Sequence, residues 1–143
     1  MSAAAGIVLL VGRILFAVFF LLAGLGFHVA KSSGAEAYAR QAGFPLPGIA
    51  GWPTGIWMSA GALSVALGIW PDIGALMICA FAIVAAAYFH QFWTIEDESQ
   101  NQTQQQLFFR NVIIVGGGLS LFAIFASAGP ELRFAITEPL ITF

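Results

Sequence analysis

Four long apolar stretches run through the sequence, and they constrain the fold more than any other feature. They cover residues 6–30, 49–70, 73–93 and 107–128. Each is long enough to supply the ~20 apolar residues that a helix needs to cross a ~30 Å hydrocarbon core. Because lipid offers no hydrogen-bond partners to the backbone, each crossing segment must be a helix. The sequence therefore predicts an all-α membrane protein, a bundle of four transmembrane helices that forms one domain over residues 1–143.

The composition agrees with an environment of lipid. Of the 143 residues, 59% are hydrophobic and only 8% are charged, whereas a soluble domain carries about 25% charged residues. Five basic residues and a net charge of -2 leave no basic face for phosphates. We therefore expect the lipid bilayer as the main surrounding and no nucleic-acid partner.

The two longer connections between the apolar stretches differ in character. Residues 31–48 suit a short helix through Ala42, which Gly43 and Pro45 would end, so we expect an interfacial helix between the first and second spans. Residues 94–106 are rich in glutamine and have no apolar face, which predicts a solvated loop. Four crossings place both connections on the side of the membrane opposite the termini.

Arg13 is the clearest charged group within a span. It lies about seven residues, or ~10 Å, into the first apolar stretch. An ionised side chain at this depth is costly and needs a partner, and the short turn on the same side of the membrane contains Asp72. We expect a structural ion pair between Arg13 and Asp72. Snorkelling of Arg13 to lipid headgroups and direct binding of a ligand or partner are the alternatives.

Polar groups also converge on the opposite side of the membrane. His28 and His90 lie near the ends of the first and third spans, Trp93 follows, and Arg110 and Asn111 begin the fourth. A quinone head group needs hydrogen-bonding groups for its two oxygens, a side chain that titrates near neutral pH and apolar walls. We take these five residues as a candidate cofactor-binding face for a quinone or another amphipathic ligand.

Other interpretations of the same residues remain open. Histidines at a membrane interface often act only as hydrogen-bonded anchors. Ligation of a metal or haem by His28 and His90 lacks the HxxxH or CxxCH spacing, so we expect no metal site. No catalytic motif is present, neither a GxSxG elbow nor a phosphate-binding glycine loop, and we do not expect an enzyme that acts alone.

Small residues recur every four positions on the second span, at Ala60, Ser64 and Gly68. Such a pattern lets helix backbones approach closely. We expect it to serve helix packing within the chain, with a homodimer contact as the alternative.

Several short stretches occur in a distinctive order. They are Gly12-Arg13, Gly24 with Gly26, Gly43-Phe44-Pro45-Leu46-Pro47, His90-Gln91-Phe92-Trp93 and Arg110-Asn111 followed by Gly116-Gly117. In this order the chain resembles the DoxX family over nearly its whole length. The resemblance implies a multi-pass protein of the bacterial inner (plasma) membrane. Several such proteins are linked to redox systems, as subunits of quinol oxidase or of thiosulfate:quinone oxidoreductase, or as partners of oxidative-stress enzymes.

Two positions depart from the family pattern. Phe27-His28 stands where a lysine often follows the glycines of the first span, and Met58-Ser59 stands where the second span often has a glutamate. Chemistry that depends on that lysine or glutamate is not expected here.

We therefore expect a non-catalytic accessory subunit of a quinone-linked membrane redox system, bound to a redox-enzyme subunit or another membrane protein. The alternative is a purely structural membrane adaptor that docks a soluble partner through its polar loops.

Overall fold

A computed structural model describes residues 1–143 and contains helices but no strands. The five α-helices are α1 (Ala3–Ala23), α2 (Ser32–Gln41), α3 (Trp52–Leu67), α4 (Pro71–Phe89) and α5 (Glu98–Ala128). A π-helical segment, Gly24–Val29, continues α1, and single 3-10 turns occupy Pro47–Ile49, Phe92–Thr94 and Gly129–Glu131. The predicted all-α class is confirmed.

Three helical runs are long and apolar enough to cross a membrane. They are Ala3–Val29, Pro71–Thr94 and Glu98–Glu131. The predicted span at residues 49–70 is an α-helix only over Trp52–Leu67, which at 1.5 Å per residue is about 24 Å long. The structure thus has three candidate membrane-spanning helices and one shorter apolar helix.

The long helices pack in chain order, α1 on α3, α3 on α4 and α4 on α5. Their central core consists of Ala17, Phe20, Met58, Ala62 and Ile78. We call the end of the bundle where α1 and α4 begin the terminal end, and the end where α3 and α5 begin the loop end. Many large apolar side chains outside the core are exposed, as lipid-facing surfaces require.

Glycines set the closest helix contacts. An added Cβ on Gly55 would lie 2.6 Å from the Gly24 carbonyl oxygen, and one on Gly74 would lie 2.7 Å from that of Gly61. The crossing of α3 with the π-helical segment that continues α1 and the crossing of α3 with α4 therefore rest on direct backbone contact. Of the predicted small-residue series, Ser64 contacts the backbone at Gly74 and Gly68 contacts Arg13, so both serve contacts within the chain.

The prediction of a solvated loop over residues 94–106 is wrong. Helix α5 begins at Glu98, where the Asp97 side chain accepts a hydrogen bond of 2.9 Å from the Gln100 backbone N–H. Once capped in this way, a helix extends cooperatively from the apolar span through polar residues. The predicted helix after the first span is present as α2, and its position at the membrane interface stays a prediction.

Candidate functional site

A cavity of about 250 Å³ opens at the loop end, and all five helices contribute to its walls. Of the five residues of the predicted ligand face, His28, His90, Arg110 and Asn111 line this cavity. The residues are far apart in sequence, and the antiparallel packing of the helices brings their ends together. We call this space the loop-end cavity.

Trp93 does not line the loop-end cavity. It lies in a separate groove between α4 and α5, where its ring contacts those of Phe92 and Phe108. Asn111 lines both the groove and the cavity. The structure therefore groups four of the five predicted residues and places Trp93 outside them.

His28 belongs to the π-helical segment that ends the first helical run. Such segments add a residue to the helical turn and occur frequently at functional sites. The His28 Nδ1 atom lies 2.6 Å from the Ala50 carbonyl oxygen. Because a carbonyl oxygen only accepts hydrogen bonds, Nδ1 carries the proton, and Nε2 of the neutral imidazole is an acceptor.

His90 ends helix α4 and is fixed in a similar way. Its Nδ1 atom lies 2.8 Å from Oε1 of Gln104, which sits on the polar start of α5. This contact again assigns the proton to Nδ1 and leaves Nε2 as an acceptor in the neutral ring. Neither Nε2 atom has a hydrogen-bond partner in the protein.

Arg110 and Asn111 contribute a donor and a buried amide from α5. The Arg110 side chain is exposed at the edge of the cavity, with its Cζ atom 5.9 Å from the centroid of the Phe19 ring. It makes no salt bridge and no hydrogen bond. Asn111 is buried and donates through Nδ2 to the Leu107 carbonyl oxygen at 3.0 Å.

Aromatic rings supply the walls, and most of them were not among the predicted site residues. Tyr38 of α2 stacks on Phe89 with the centroids 5.5 Å apart and the planes at 21°. Phe44 packs against Phe89 from the following loop. A signal for the remaining walls was present in the sequence. Two apolar series recur at positions i, i+4 and i+8, and both line the cavity: Phe19, Ala23 and Phe27, then Phe81, Ala85 and Phe89.

The predicted ion pair between Arg13 and Asp72 does not form at the terminal end. Arg13 is fully buried and donates to three carbonyl oxygens, those of Val65 at 2.7 Å, Ala66 at 2.9 Å and Phe134 at 3.1 Å. The last carbonyls of a helix lack intrahelical partners and carry negative partial charge, so the C-terminus of α3 takes the place of the expected carboxylate.

Asp72 also binds backbone in place of Arg13. Its carboxylate accepts hydrogen bonds from the backbone N–H groups of Leu140 at 3.1 Å and Ile141 at 2.9 Å. Arg13 and Asp72 therefore bind the backbone at the end of α3 and in the C-terminal segment. Neither side chain lines the loop-end cavity.

The chain matches a known protein family. The DoxX family model matches residues 8–91, more than half of the chain. The matched region runs from α1 to just beyond α4 and includes His28 and His90. No curated protein and no solved structure matches the chain.

Proposed function

The chain belongs to the DoxX family of integral membrane proteins, and we propose that it binds a quinone-class ligand as an accessory subunit of a membrane redox system. The observation that carries this proposal is the convergence of His28, His90, Arg110 and Asn111 on one apolar-walled cavity. Catalysis by this chain alone is not part of the proposal.

The cavity suits the ring of such a ligand better than its tail. Ligand pockets usually measure about 300–1,000 Å³, and the loop-end cavity of about 250 Å³ is slightly smaller. A one- or two-ring head group fits this space, with the rings of Tyr38 and Phe89 beside it. A long apolar tail would have to leave the cavity and lie in lipid.

The polar groups complement both oxidation states of a quinone. Neutral His28 and His90 each offer an Nε2 lone pair, which accepts the hydroxyl hydrogen of a quinol. Arg110 offers only donors, which suit a quinone or quinol oxygen. A ring that bears two oxygens uses both kinds of group, whereas a hydrocarbon ligand uses neither.

Four membrane crossings complete the proposed arrangement, with α3 as the fourth. Its α-helical part is short, but exposed Trp52 and Trp70 flank it, and tryptophan favours the headgroup region. In this arrangement α2 lies along the interface above the loop-end cavity, in the inner membrane of a bacterial cell. The cavity then faces the headgroup layer, which is where a quinone head group resides.

Calorimetric titration of the purified protein with 1,4-naphthoquinone, and with its reduced quinol under anaerobic conditions, tests ligand binding. His28→Leu and His90→Leu each remove one Nε2 acceptor and should weaken binding of the reduced quinol form about tenfold. Trp93→Phe is the matched control, because Trp93 lies outside the cavity, and it should bind like the wild type. Unchanged affinity of both histidine variants for the quinol, or no binding of either form by the wild type, would refute the proposed site.

Gentle purification from native membranes tests the redox connection. Lipid extraction should recover a quinone, and mass spectrometry should identify a redox-enzyme subunit or another membrane protein as partner. If neither a quinone nor such a partner is recovered, the proposed link to redox systems is refuted.

A structural adaptor is the second candidate function, favoured by the polar start of α5. Its exposed Gln102, Gln105 and Gln106 stand on a capped helix, which presents them in a fixed arrangement to a soluble partner. Changing all three to lysine should abolish capture of such a partner, while His28→Leu and His90→Leu should not. Loss of capture in the histidine variants would contradict the adaptor function.

A further inference from the structure

Arg110 carries a charge that nothing in the protein balances. No Asp or Glu lines the loop-end cavity, and no carboxylate lies within salt-bridge distance of the Arg110 guanidinium. Its one defined contact is the face of the Phe19 ring, 5.9 Å from Cζ. A cation next to apolar walls and lipid is costly unless an anion accompanies it.

The acidic residues near the loop end either have other partners within the protein or are exposed to solvent. Glu36 accepts a hydrogen bond from Ser32 and lies 3.9 Å from Arg40. Asp97 caps α5, and its neighbours Glu96 and Glu98 are exposed to solvent. A neutral quinone does not supply the missing negative charge.

We propose that the ligand of the loop-end cavity is a ring with one ionised hydroxyl, an acidic hydroxyquinone or a singly deprotonated quinol, and that Arg110 binds its oxyanion. This inference rests on the proposed function, because it assumes a ring in the cavity. The planar guanidinium presents parallel donors that suit an oxyanion, and its position at the cavity edge lets the ring enter while the charge stays near the headgroups.

The two histidines fix which group the oxyanion contacts. In their neutral form, His28 and His90 present lone pairs at Nε2, and these repel an oxyanion but accept a hydroxyl hydrogen. Arg110 is the only permanently charged donor among the lining residues. The ionised oxygen therefore goes to Arg110, and in a singly deprotonated quinol the remaining hydroxyl donates to a histidine.

Two ligands with the same ring system show whether the charge of the ligand, and not its shape alone, determines its affinity. The first, 1,4-naphthoquinone, is neutral, and the second, 2-hydroxy-1,4-naphthoquinone, is ionised at neutral pH. We would titrate each by calorimetry into the full chain held in nanodiscs of zwitterionic phosphatidylcholine. The wild type should bind the ionised ligand at least about tenfold more tightly than the neutral one, since a charge-assisted hydrogen bond is roughly twice as strong as a neutral one.

Arg110→Gln should remove this preference, because glutamine has no charge to pair with the oxyanion, and should weaken binding of the ionised ligand more than binding of the neutral one. Arg40→Gln is the matched control, because Arg40 is an exposed arginine outside the cavity, and it should keep the full preference. Arg110→Lys should keep part of it, since lysine retains the charge but not the planar donors.

Equal affinities for the two ligands in the wild type would overturn the inference and leave the proposed function standing. A preference that survives Arg110→Gln would also overturn it. If neither ligand binds, the proposed function fails and this inference fails with it.

Discussion

The two ends of the bundle use arginine in opposite ways. At the terminal end, Arg13 is fully buried and bonded to three backbone carbonyls. At the loop end, Arg110 is exposed beside a cavity and has no polar partner in the protein. A buried arginine whose three nitrogens all donate to backbone carbonyls holds segments of the fold together, whereas an unpaired one at a cavity is available to a ligand.

The backbone shows the same contrast. The chain after α5 crosses the terminal end, where the Gly68 carbonyl accepts hydrogen bonds from Ile136 and Thr137 and the Asp72 carboxylate accepts two backbone N–H groups. The loop end instead keeps two imidazole Nε2 atoms without protein partners. The polar groups of the terminal end thus bind the protein's own backbone, whereas the loop end keeps polar atoms that a ligand could use.

The largest expected effect is the loss of the Arg13 guanidinium. Arg13→Met leaves the carbonyls of Val65, Ala66 and Phe134 without their charged donor, and we expect the free energy of unfolding to fall by about 3–5 kcal/mol. Titration with a denaturing detergent, followed by circular dichroism, measures this loss.

The same change at the loop end is the control. Arg110→Met removes no hydrogen bond, so the free energy of unfolding should change by less than about 1 kcal/mol. Similar losses in the two variants would break the contrast between the two arginines.

The crossing of α3 with the π-helical segment should respond next most strongly. In Gly55→Ala the new methyl group meets the Gly24 carbonyl oxygen and Val29, and separating the helices should cost about 1–3 kcal/mol. Gly26→Ala is the control in the same region, because nothing lies within 4 Å of its added Cβ. Thermal unfolding in detergent compares them, and equal melting temperatures for the two variants would contradict the close crossing.

Release of the C-terminal segment should have a smaller effect. Asp72→Ala removes the acceptor for the Leu140 and Ile141 N–H groups, and we expect a loss of about 1–2 kcal/mol with faster hydrogen exchange over residues 138–143. Asp72→Asn retains one oxygen acceptor and should lie between this variant and the wild type. Exchange that stays as slow as in the wild type would show that apolar packing alone holds the segment.

Much of this architecture follows from local sequence. Long apolar runs predict the helices because lipid leaves the backbone no alternative. The grouping of His28, His90, Arg110 and Asn111 was also predictable, since each lies at a helix end on the same side of an antiparallel bundle. Trp93 follows the end of α4, and there the chain turns its side chain towards the α4–α5 groove.

Partners supplied by the backbone were not predictable. A sequence shows which carboxylates lie near Arg13, but it does not show that the end of α3 presents free carbonyls at the same depth. The helical start of α5 was missed because its residues are polar on all sides, although Asp97 followed by Gln100 has the spacing of a capping box.

The smallest expected change in stability is that of Ala85→Leu at the loop end, and Ala75→Leu at the terminal end is its counterpart. Ala85 lines the loop-end cavity, whereas Ala75 is fully buried among Val65, Phe125 and Leu132 near the terminal end. Because Ala85→Leu places its added atoms in open space, it should change the free energy of unfolding by less than about 1 kcal/mol, while Ala75→Leu should cost about 1–3 kcal/mol through overpacking. Chemical denaturation measures both, and the same Ala85→Leu protein should no longer bind naphthoquinones. Equal destabilisation by the two substitutions would mean that the loop end is packed as densely as the terminal end, and the cavity would then have no role in binding.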